Sequence, residues 1–269
     1  MDSSACNYHF TEDADPTFLH DMYFGPYAEE KFICDAIEFP IRAILNCYKQ
    51  GLIKGDTMID FSYAGNIYQI LPIYKCFKDI IILEAYDSCM KDTENWLHGG
   101  EHSLDWSHAA RIMEELQGTS ADWKEMENDL RSRVRHFSKC ILENENPTDP
   151  IVLPKADCLV NLILLGTISK DIDHYSRNVK KMSTMLNKGA CMIIIGAFNA
   201  SYFIMNGKKH HILCFTETDL RKILSDNDLR VGHMEVWERT SSLKTVAFDR
   251  NVCRLCCQRV MCLTPFSNK

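Results

Sequence analysis

Two acidic residues stand in two apolar stretches that the sequence predicts to be β-strands. Asp60 lies in the first stretch, residues 57–62, and Glu84 ends the second, residues 80–84. In a doubly wound sheet a ligand lies across the carboxyl ends of the strands. An acid at the end of the second strand suits the hydroxyl groups of a ribose, because each hydroxyl can donate a hydrogen bond to a carboxylate. Glu84 is therefore the candidate ribose acceptor, and the alternative is an exposed carboxylate at a strand end.

The turn after the first strand is the second candidate feature. It leads into an apolar helical pattern at residues 66–77. A strand, a tight turn and a helix place free backbone N–H groups and the positive end of a helix dipole beside any ligand over the turn. However, Ser62, Tyr63 and Ala64 stand where such loops usually carry Gly-x-Gly. The segment predicts a cofactor pocket in which side chains occupy space that glycine leaves free.

Strand and helix patterns alternate along most of the chain, which predicts an α/β fold with a mostly parallel sheet and helices on both faces. Asn206-Gly207 predicts a β-hairpin near the end. Seven strands and a final antiparallel hairpin favour a methyltransferase-type sheet over a dinucleotide dehydrogenase. The predicted helices are residues 27–50, with a kink or a break at Pro40, and residues 66–77, 87–97, 121–137, 171–186 and 217–225. The predicted strands are residues 57–62, 80–84, 138–143, 156–164, 191–197, 202–205, 210–214, 231–239 and 245–260.

Length and charge narrow the class of protein. The 269 residues favour one large domain. A formal net charge of −7 argues against a protein that binds nucleic acid through its phosphates. No apolar run approaches the roughly 20 residues of a membrane helix. We expect a cytoplasmic protein whose partners are small molecules, without nucleic acid or membrane.

The 13 cysteines do not predict a disulfide framework or a metal site. Several, such as Cys47, Cys158 and Cys191, lie in apolar stretches where reduced cysteine behaves as a small hydrophobic residue. Only Cys253-Arg-Leu-Cys256-Cys257, followed by Cys262, has metal-like spacing, and it lacks the second pair of a zinc site. We expect no metal.

Four motifs of the chain carry a resemblance to a known family. They are Lys54-Gly55-Asp56-Thr57-Met58-Ile59-Asp60, Asn66-Ile67-Tyr68-Gln69-Ile70-Leu71, Asp105-Trp106-Ser107 and Leu153-Pro154-Lys155-Ala156-Asp157-Cys158. With these motifs the chain resembles the nicotinamide, phenylethanolamine and indolethylamine N-methyltransferases from about residue 16 to residue 259.

The resemblance implies a class I, Rossmann-like fold dependent on S-adenosylmethionine, with a seven-stranded mostly parallel sheet, an antiparallel C-terminal hairpin and an N-terminal helical lid. It also implies a monomer and a single domain over residues 1–269, with the lid at residues 1–50 and the core at residues 55–261.

The same resemblance implies which residues hold S-adenosylmethionine. Tyr23 and Tyr68 match tyrosines beside the cofactor's carboxylate, and Asn66 replaces a threonine there. Glu84 matches the ribose-binding acid, and Cys89 replaces an asparagine that follows it. The implied cofactor-binding residues are Tyr23, Ser62, Tyr63, Ala64, Asn66, Tyr68, Glu84, Cys89, Ile141 and Leu142.

The chain departs from the family pattern at both ends of the site. Where the family has Cys-Asp-Val at the adenine, this chain has Cys140-Ile141-Leu142. Gly166 and Gly196 match acids or hydroxyls that orient the substrate. One lid tyrosine falls on Phe18, and another becomes Phe203 beside Tyr202. The implied substrate-binding residues are Phe18, Gly196, Tyr202 and Phe203.

The resemblance implies methyl transfer to the nitrogen of a small aromatic, pyridine-like or amine substrate. Such a displacement depends mainly on positioning, so the sequence identifies no catalytic residue. His210 and His211 are either a base or an exposed hairpin pair. The alternative function is an inactive methyltransferase homologue that acts as a binding or regulatory module. A nicotinamide dinucleotide dehydrogenase is disfavoured because the turn lacks Gly-x-Gly-x-x-Gly.

Overall fold

The computed structural model describes residues 14–61, 63–248 and 257–265. Over this part, strands and helices alternate as the sequence predicts. The strands are β1 (Thr57–Phe61), β2 (Asp79–Glu84), β3 (Val134–Lys139), β4 (Ala156–Leu162), β5 (Leu186–Ala197), β6 (Ala200–Met205), β7 (Lys208–His211), β8 (Leu229–Glu238), β9 (Val246–Phe248) and β10 (Cys257–Pro265). The α-helices are α1 (Pro16–Leu19), α2 (Glu30–Ile33), α3 (Phe39–Lys49), α4 (Asp87–Leu97), α5 (Ser107–Gln117), α6 (Trp123–Arg133), α7 (Leu164–Ile168), α8 (Ile172–Thr184) and α9 (Glu217–Asp226). Two π-helical segments, His20–Phe24 and Cys34–Glu38, and a 3₁₀ helix, Tyr74–Cys76, complete the helical structure described.

The main sheet has the strand order β3-β2-β1-β4-β5-β10-β8. β1 lies between β2 and β4, and strands β1 to β5 pair in parallel. β10 runs antiparallel to both β5 and β8. The chain moves outward from β1 through β2 to β3 and then returns to place β4 on the other side of β1. This reversal is a switch point, and it opens a crevice at the carboxyl ends of β1 and β4.

A second, smaller sheet has the order β7-β6-β9. β6 and β7 form the hairpin that the sequence predicts, and its turn residues Asn206 and Gly207 both have positive φ. Positive φ at both central residues suits the right-handed twist of the two strands. Phe203 of β6 reaches back over the crevice, so this sheet covers the end of the main sheet.

The helix predicted at residues 66–77 is wrong. The structure has successive turns there, closed by bonds such as Ile70 N–H to Ile67 C=O, and then the 3₁₀ helix Tyr74–Cys76. Pro72 explains the difference, because it has no N–H to donate and disfavours a helical conformation for the residue before it. The argument from a helix dipole beside the turn therefore does not apply.

Two predicted strands are also placed differently. The strand predicted at residues 138–143 is wrong, because β3 occupies Val134–Lys139 and follows α6 directly. β3 lies at the edge of the sheet, so its exposed positions are polar and its pattern is weak. The single strand predicted at residues 245–260 is instead β9 and β10, which belong to different sheets.

The cysteines differ in one respect from the expectation. Cys47, Cys89, Cys140 and Cys158 are buried and free, as small apolar residues would be. The expectation is wrong for Cys191, which is disulfide-bonded. Cys253 and Cys256 of the metal-like motif lie outside the described residues. No helix in the described part of the chain is long and apolar enough to cross a membrane.

One carboxylate joins the starts of three central strands. The Oδ2 atom of Asp157, on β4, accepts hydrogen bonds from the backbone N–H groups of Asp56 (2.8 Å) and Thr57 (3.2 Å). Its Oδ1 atom accepts one from Asn187 Nδ2, on β5, at 2.8 Å. Burial opposes ionisation, but these hydrogen bonds lower the pKa of Asp157 overall.

We predict that Asp157→Ala lowers the free energy of unfolding by about 1–3 kcal/mol, because it leaves two backbone donors without their acceptor. Urea unfolding at pH 7 measures this. The matched control is Asp56→Ala, which removes an exposed carboxylate paired with Lys78 and changes stability by less than about 0.5 kcal/mol. Equal effects of the two substitutions would contradict the assignment.

Candidate functional site

The turn after β1 contains two successive residues with left-handed backbone geometry. Ala64 has φ +58° and Gly65 has φ +69°. This geometry is free for glycine and costs roughly 1 kcal/mol for an L side chain. The turn is therefore strained at Ala64, where the family resemblance implies glycine. Ser62, also predicted to bind the cofactor, lies outside the described residues.

Asp60 is linked to the residues that follow the turn through the side chain of Gln69. Gln69 Nε2 lies 2.9 and 3.0 Å from the two Asp60 carboxylate oxygens and 2.7 Å from the backbone oxygen of Asn66. All three residues are buried. Asn66 Nδ2 is buried and has no hydrogen-bond partner within the described part of the chain. An orphaned buried donor is costly, so this amide is a candidate for holding an acceptor group of a ligand.

Glu84 ties together the segments that follow three neighbouring strands. Its Oε1 atom accepts hydrogen bonds from the N–H groups of Ala85 (2.9 Å) and Tyr86 (3.1 Å). The backbone of Gly65, in the turn after β1, also hydrogen-bonds to this carboxyl group. The main-chain oxygen of Glu84 accepts from Cys140 N–H, after β3, at 2.8 Å. The predicted ribose acceptor is thus placed where β1, β2 and β3 end.

The protonation of Glu84 is set by its burial. Only 2% of the residue is exposed, and this desolvation raises the pKa of Glu84 to about 8. The backbone hydrogen bonds lower the pKa and the nearby Asp60 raises it, but burial is the largest effect. At pH 7 Glu84 is therefore mostly a neutral acid.

The predicted adenine end lies beside Glu84. Cys89, on α4, is buried, and its burial and the nearby Glu84 both raise the pKa of the thiol. Leu142 is buried, whereas Ile141 is 39% exposed. The loop after β3 is held to β2 through the Cys140–Glu84 backbone bond described above. The loop that carries Ile141 and Leu142 therefore begins beside Glu84.

The two predicted cofactor tyrosines have hydroxyl partners inside the protein. Tyr68 donates to the backbone oxygen of Ala36 at 2.7 Å. Tyr23 donates to the backbone oxygen of Ile204, on β6, at 2.5 Å. Tyr23 thus joins the N-terminal helices to the small sheet. Each hydroxyl oxygen can still accept a hydrogen bond from a ligand.

A large chamber opens between the switch point, the N-terminal helices and the small sheet. Its volume is about 1040 Å³, counting the part open to solvent. The walls are mainly aliphatic and aromatic, which suits a small apolar or aromatic ligand. The lining includes Tyr23, Phe24, Phe32, Tyr63, Leu162, Ile163, Tyr175, Ile195, Phe203, Ile212, Phe215 and Trp237.

The predicted substrate residues differ in their relation to this chamber. Gly166, Gly196 and Phe203 line it. A Cβ atom built on Gly196 would meet no atom within 4 Å, so this wall has room that no side chain uses. Tyr202 alternates with Phe203 along β6, and the Lys209 ammonium lies 4.4 Å from its ring centroid. Phe18 is half-buried and packs against the core.

Sequence reasoning missed Asn161, a fully buried residue at the end of β4 that lines the chamber. Its Nδ2 atom donates to the Phe61 backbone oxygen at 2.8 Å, and its Oδ1 atom accepts from Leu165 N–H at 3.4 Å. Asn161 therefore fixes the end of β1 against β4. An amide within an otherwise apolar strand is the signal that could have identified it.

Sequence reasoning also missed Asp35, a buried carboxylate at the Trp237 side of the chamber. It accepts hydrogen bonds from Trp237 Nε1 (2.9 Å), Thr240 Oγ1 (2.9 Å) and Ser241 N–H (2.9 Å). These bonds fasten the segment after β8 to the N-terminal helices. Asp35 therefore holds that wall of the chamber in place.

The histidines of the β6–β7 hairpin are not an exposed pair. His210 is buried, and its ring stacks on Phe203 with centroids 5.2 Å apart. His211 Nε2 lies 3.0 Å from the Ser169 backbone oxygen, and burial lowers the pKa of His211. Both border a smaller cavity of about 270 Å³ that also touches Tyr63, Tyr86 and Phe203.

Comparison with known proteins identifies relatives of the whole chain. A model of the NNMT/PNMT/TEMT family matches residues 5–260. An indolethylamine N-methyltransferase of Oryctolagus cuniculus is 25% identical over 86% of both chains. A nicotinamide N-methyltransferase of Sus scrofa is 27% identical over 71% of this chain and 72% of its own length. A phenylethanolamine N-methyltransferase of Macaca mulatta is 24% identical over 78% of this chain and 75% of its own.

Solved structures show the same fold. An S-adenosylmethionine-dependent methyltransferase from Clostridium acetobutylicum superposes with a TM-score of 0.53 at 12% identity, over 87% of this chain and 93% of that one. One from Methanosarcina mazei gives 0.52 at 11% identity, over 82% and 98%. At this identity the likeness shows the fold alone, which is the class I, Rossmann-like methyltransferase fold.

We predict that the contribution of Glu84 to the free energy of unfolding falls as pH rises from about 5 to 8. Native Glu84 keeps its proton over this range, whereas the unfolded chain releases it near pH 4.5, so raising the pH favours the unfolded state. The slope contributed by this residue approaches about 1.4 kcal/mol per pH unit. Urea unfolding at four pH values measures it.

The control is Glu84→Gln, which keeps the size and polarity of the neutral acid but has no proton to lose. The free energy of unfolding of this variant should depend less steeply on pH than that of the unmodified protein. The difference between the two slopes should approach about 1.4 kcal/mol per pH unit. Parallel profiles for the two proteins would show that Glu84 ionises normally.

Proposed function

Because this chain belongs to the NNMT/PNMT/TEMT family, we propose that it transfers the methyl group of S-adenosylmethionine to the nitrogen of a small aromatic, pyridine-like or amine substrate. The observation that carries the proposal is the placement of two buried polar groups at the carboxyl ends of neighbouring strands. The Glu84 carboxyl lies at the end of β2, and the spare Asn66 amide lies in the turn after β1. Both therefore stand at the carboxyl ends of the strands, where this fold places its ligand.

These residues fit the proposed cofactor. Glu84 would accept the ribose hydroxyls, and the Asn66 Nδ2 atom, which has no partner in the described part of the chain, would donate to the carboxylate. When bound, S-adenosylmethionine supplies a sulfonium-activated methyl group. Cys89, Ile141 and Leu142 would border the adenine with apolar contacts. Tyr23 and Tyr68 would act mainly by fixing the lid and the turn, because their protons are already donated to the backbone.

The chamber would position the acceptor mainly by its shape. Gly166 and Gly196 offer no side chain to hydrogen-bond it, and the aliphatic walls exclude water. A neutral nitrogen needs no strong base to attack a methyl group, so holding the two reactants in line supplies most of the rate enhancement. Phe203 and Gly196 would contact the acceptor, with Phe18 and Tyr202 supporting the lid around it.

We further propose a cytoplasmic, monomeric protein with one domain over residues 1–269. In this arrangement residues 1–50 form a lid over a core at residues 55–261. The Tyr23–Ile204 and Asp35–Trp237 hydrogen bonds support the arrangement, because each fastens an N-terminal helical segment to the far end of the chain. The comparisons give no support to the alternative of an inactive homologue.

We predict that S-adenosylhomocysteine binds the protein and that Glu84→Gln weakens binding about tenfold or more at pH 8, because the carboxylate loses its charge-assisted hydrogen bonds. Isothermal titration calorimetry measures both affinities. The matched control is Glu115→Ala, an exposed acid on α5, which should leave the affinity unchanged. Absence of detectable binding at millimolar ligand would contradict the proposed function.

A methyl-transfer assay then tests activity directly. Labelled S-adenosylmethionine is incubated with pyridines and arylalkylamines, and we expect labelled N-methyl product from at least one class. Binding without any transfer would favour the inactive alternative.

We predict that the affinity for S-adenosylhomocysteine rises with pH between 6 and 8. Ribose hydroxyls are donors to Glu84, so binding favours the ionised carboxylate and releases a proton from an acid whose pKa is about 8. The increase approaches tenfold per pH unit at the acid end of the range. Calorimetry in buffers of different ionisation enthalpy counts the released proton, and Glu84→Gln should bind with a flat profile.

A further inference from the structure

Tyr63 lies two residues before Gly65, whose backbone hydrogen-bonds to the Glu84 carboxyl. The residue is 5% exposed although it lies in the turn after β1. Its ring packs edge-to-face against Tyr86, with centroids 5.3 Å apart and an interplanar angle of 85°. Tyr86 is the residue whose N–H is bound by Glu84. The ring therefore packs against the segment that follows β2, next to the position where the proposed function places a ribose.

The Tyr63 hydroxyl points to the same conclusion. Burial raises the pKa of Tyr63 well above its usual value, and Tyr86, Cys89 and Glu84 raise it further through their charges. The phenol is therefore neutral and close to both residues expected to meet the nucleoside. A ribose on Glu84 and the phenol would compete for one volume.

The rings around Tyr63 are held by other parts of the fold. The ring centroid of Phe203 lies 6.0 Å from that of Tyr63. The Phe203 ring also stacks on the His210 ring, with centroids 5.2 Å apart. Tyr86 donates to Thr167 Oγ1 at 2.9 Å, because the Thr167 proton goes to the Leu164 backbone oxygen. Tyr86 and Phe203 are thus held by partners outside the turn that carries Tyr63.

The cavities give the ring a place to go. Tyr63 lines both the large chamber of about 1040 Å³ and the smaller cavity of about 270 Å³. A rotation of its side chain away from Glu84 leads into space that the protein does not fill. The same rotation would narrow the chamber that receives the acceptor.

We propose that Tyr63 is a gate over Glu84, whose ring must rotate into the chamber before a nucleoside can reach the carboxyl. This inference rests on the proposed function, because it takes the nucleoside to be that of S-adenosylmethionine. Tyr63 lowers cofactor affinity by the cost of leaving its packed position. Through the narrowed chamber it also makes the shape of the acceptor site depend on bound cofactor.

The test is the affinity for S-adenosylhomocysteine, measured by calorimetry on the full chain. Tyr63→Ala and Tyr63→Ser should bind at least tenfold more tightly than the unmodified protein, equivalent to about 1.4 kcal/mol. Tyr63→Phe keeps the ring and should stay within about threefold of the unmodified protein. Equal affinities in all four proteins, or weaker binding by the alanine and serine variants, would overturn the gate.

A second measurement does not depend on the folding of the small-residue variants. The protein is labelled with 3-fluorotyrosine, and the Tyr63 resonance is identified by its absence from the spectrum of Tyr63→Phe. Addition of S-adenosylhomocysteine should move this resonance, because the ring changes its surroundings. A resonance that stays in place under saturating ligand would overturn the gate.

The two hypotheses fail in different ways. If no protein in the series binds S-adenosylhomocysteine, the proposed function fails and the gate fails with it. If all bind equally, the gate alone fails and the cofactor assignment stands.

Discussion

The Glu84 carboxyl is the constraint on which the site depends. The carboxyl group accepts hydrogen bonds from the backbone of Gly65, Ala85 and Tyr86. The main-chain oxygen of the same residue accepts a hydrogen bond from Cys140 N–H. One residue thus sets the distances between the turn after β1, the end of β2 and the loop after β3. Because the group is buried, its ionisation opposes folding unless a ligand supplies further donors. The same side chain therefore holds three segments of the fold together and determines how a ligand that donates hydrogen bonds is bound.

The sequence predicted much of this framework because the framework depends on local patterns. Helix α4 has the bounds predicted for it, and the Asn206-Gly207 hairpin follows from turn chemistry alone. Glu84 was found because a strand pattern ended in an acid. The errors arose where local patterns were ambiguous. The helix predicted at residues 66–77 is a series of turns because Pro72 interrupts it. The bounds of β3 were missed because this edge strand has a polar pattern. The division of residues 245–260 between two sheets depends on pairing partners distant in sequence.

Side-chain roles were harder to predict than positions. The resemblance implies that Tyr68 and Tyr23 lie beside the cofactor's carboxylate, whereas their hydroxyls donate to the backbone oxygens of Ala36 and Ile204, which are 32 and 181 residues away. Asn161 and Asp35 were missed for a related reason. Each is a buried polar residue whose partners belong to other elements, so its role becomes visible only after the chain has folded. No pattern within one strand or helix contains that information.

The replacements in the turn and in the chamber have a common physical consequence. Ala64 keeps left-handed geometry with a side chain, and the buried Tyr63 adds a ring to the same turn, so side chains occupy space that glycine would leave free. Gly166 and Gly196 make the opposite change, removing side chains from the far wall of the chamber. Together they shift free volume from the Glu84 end of the site toward the acceptor end. A site altered in this way depends less on fixed hydrogen bonds to its substrate and more on the volume left when Tyr63 moves.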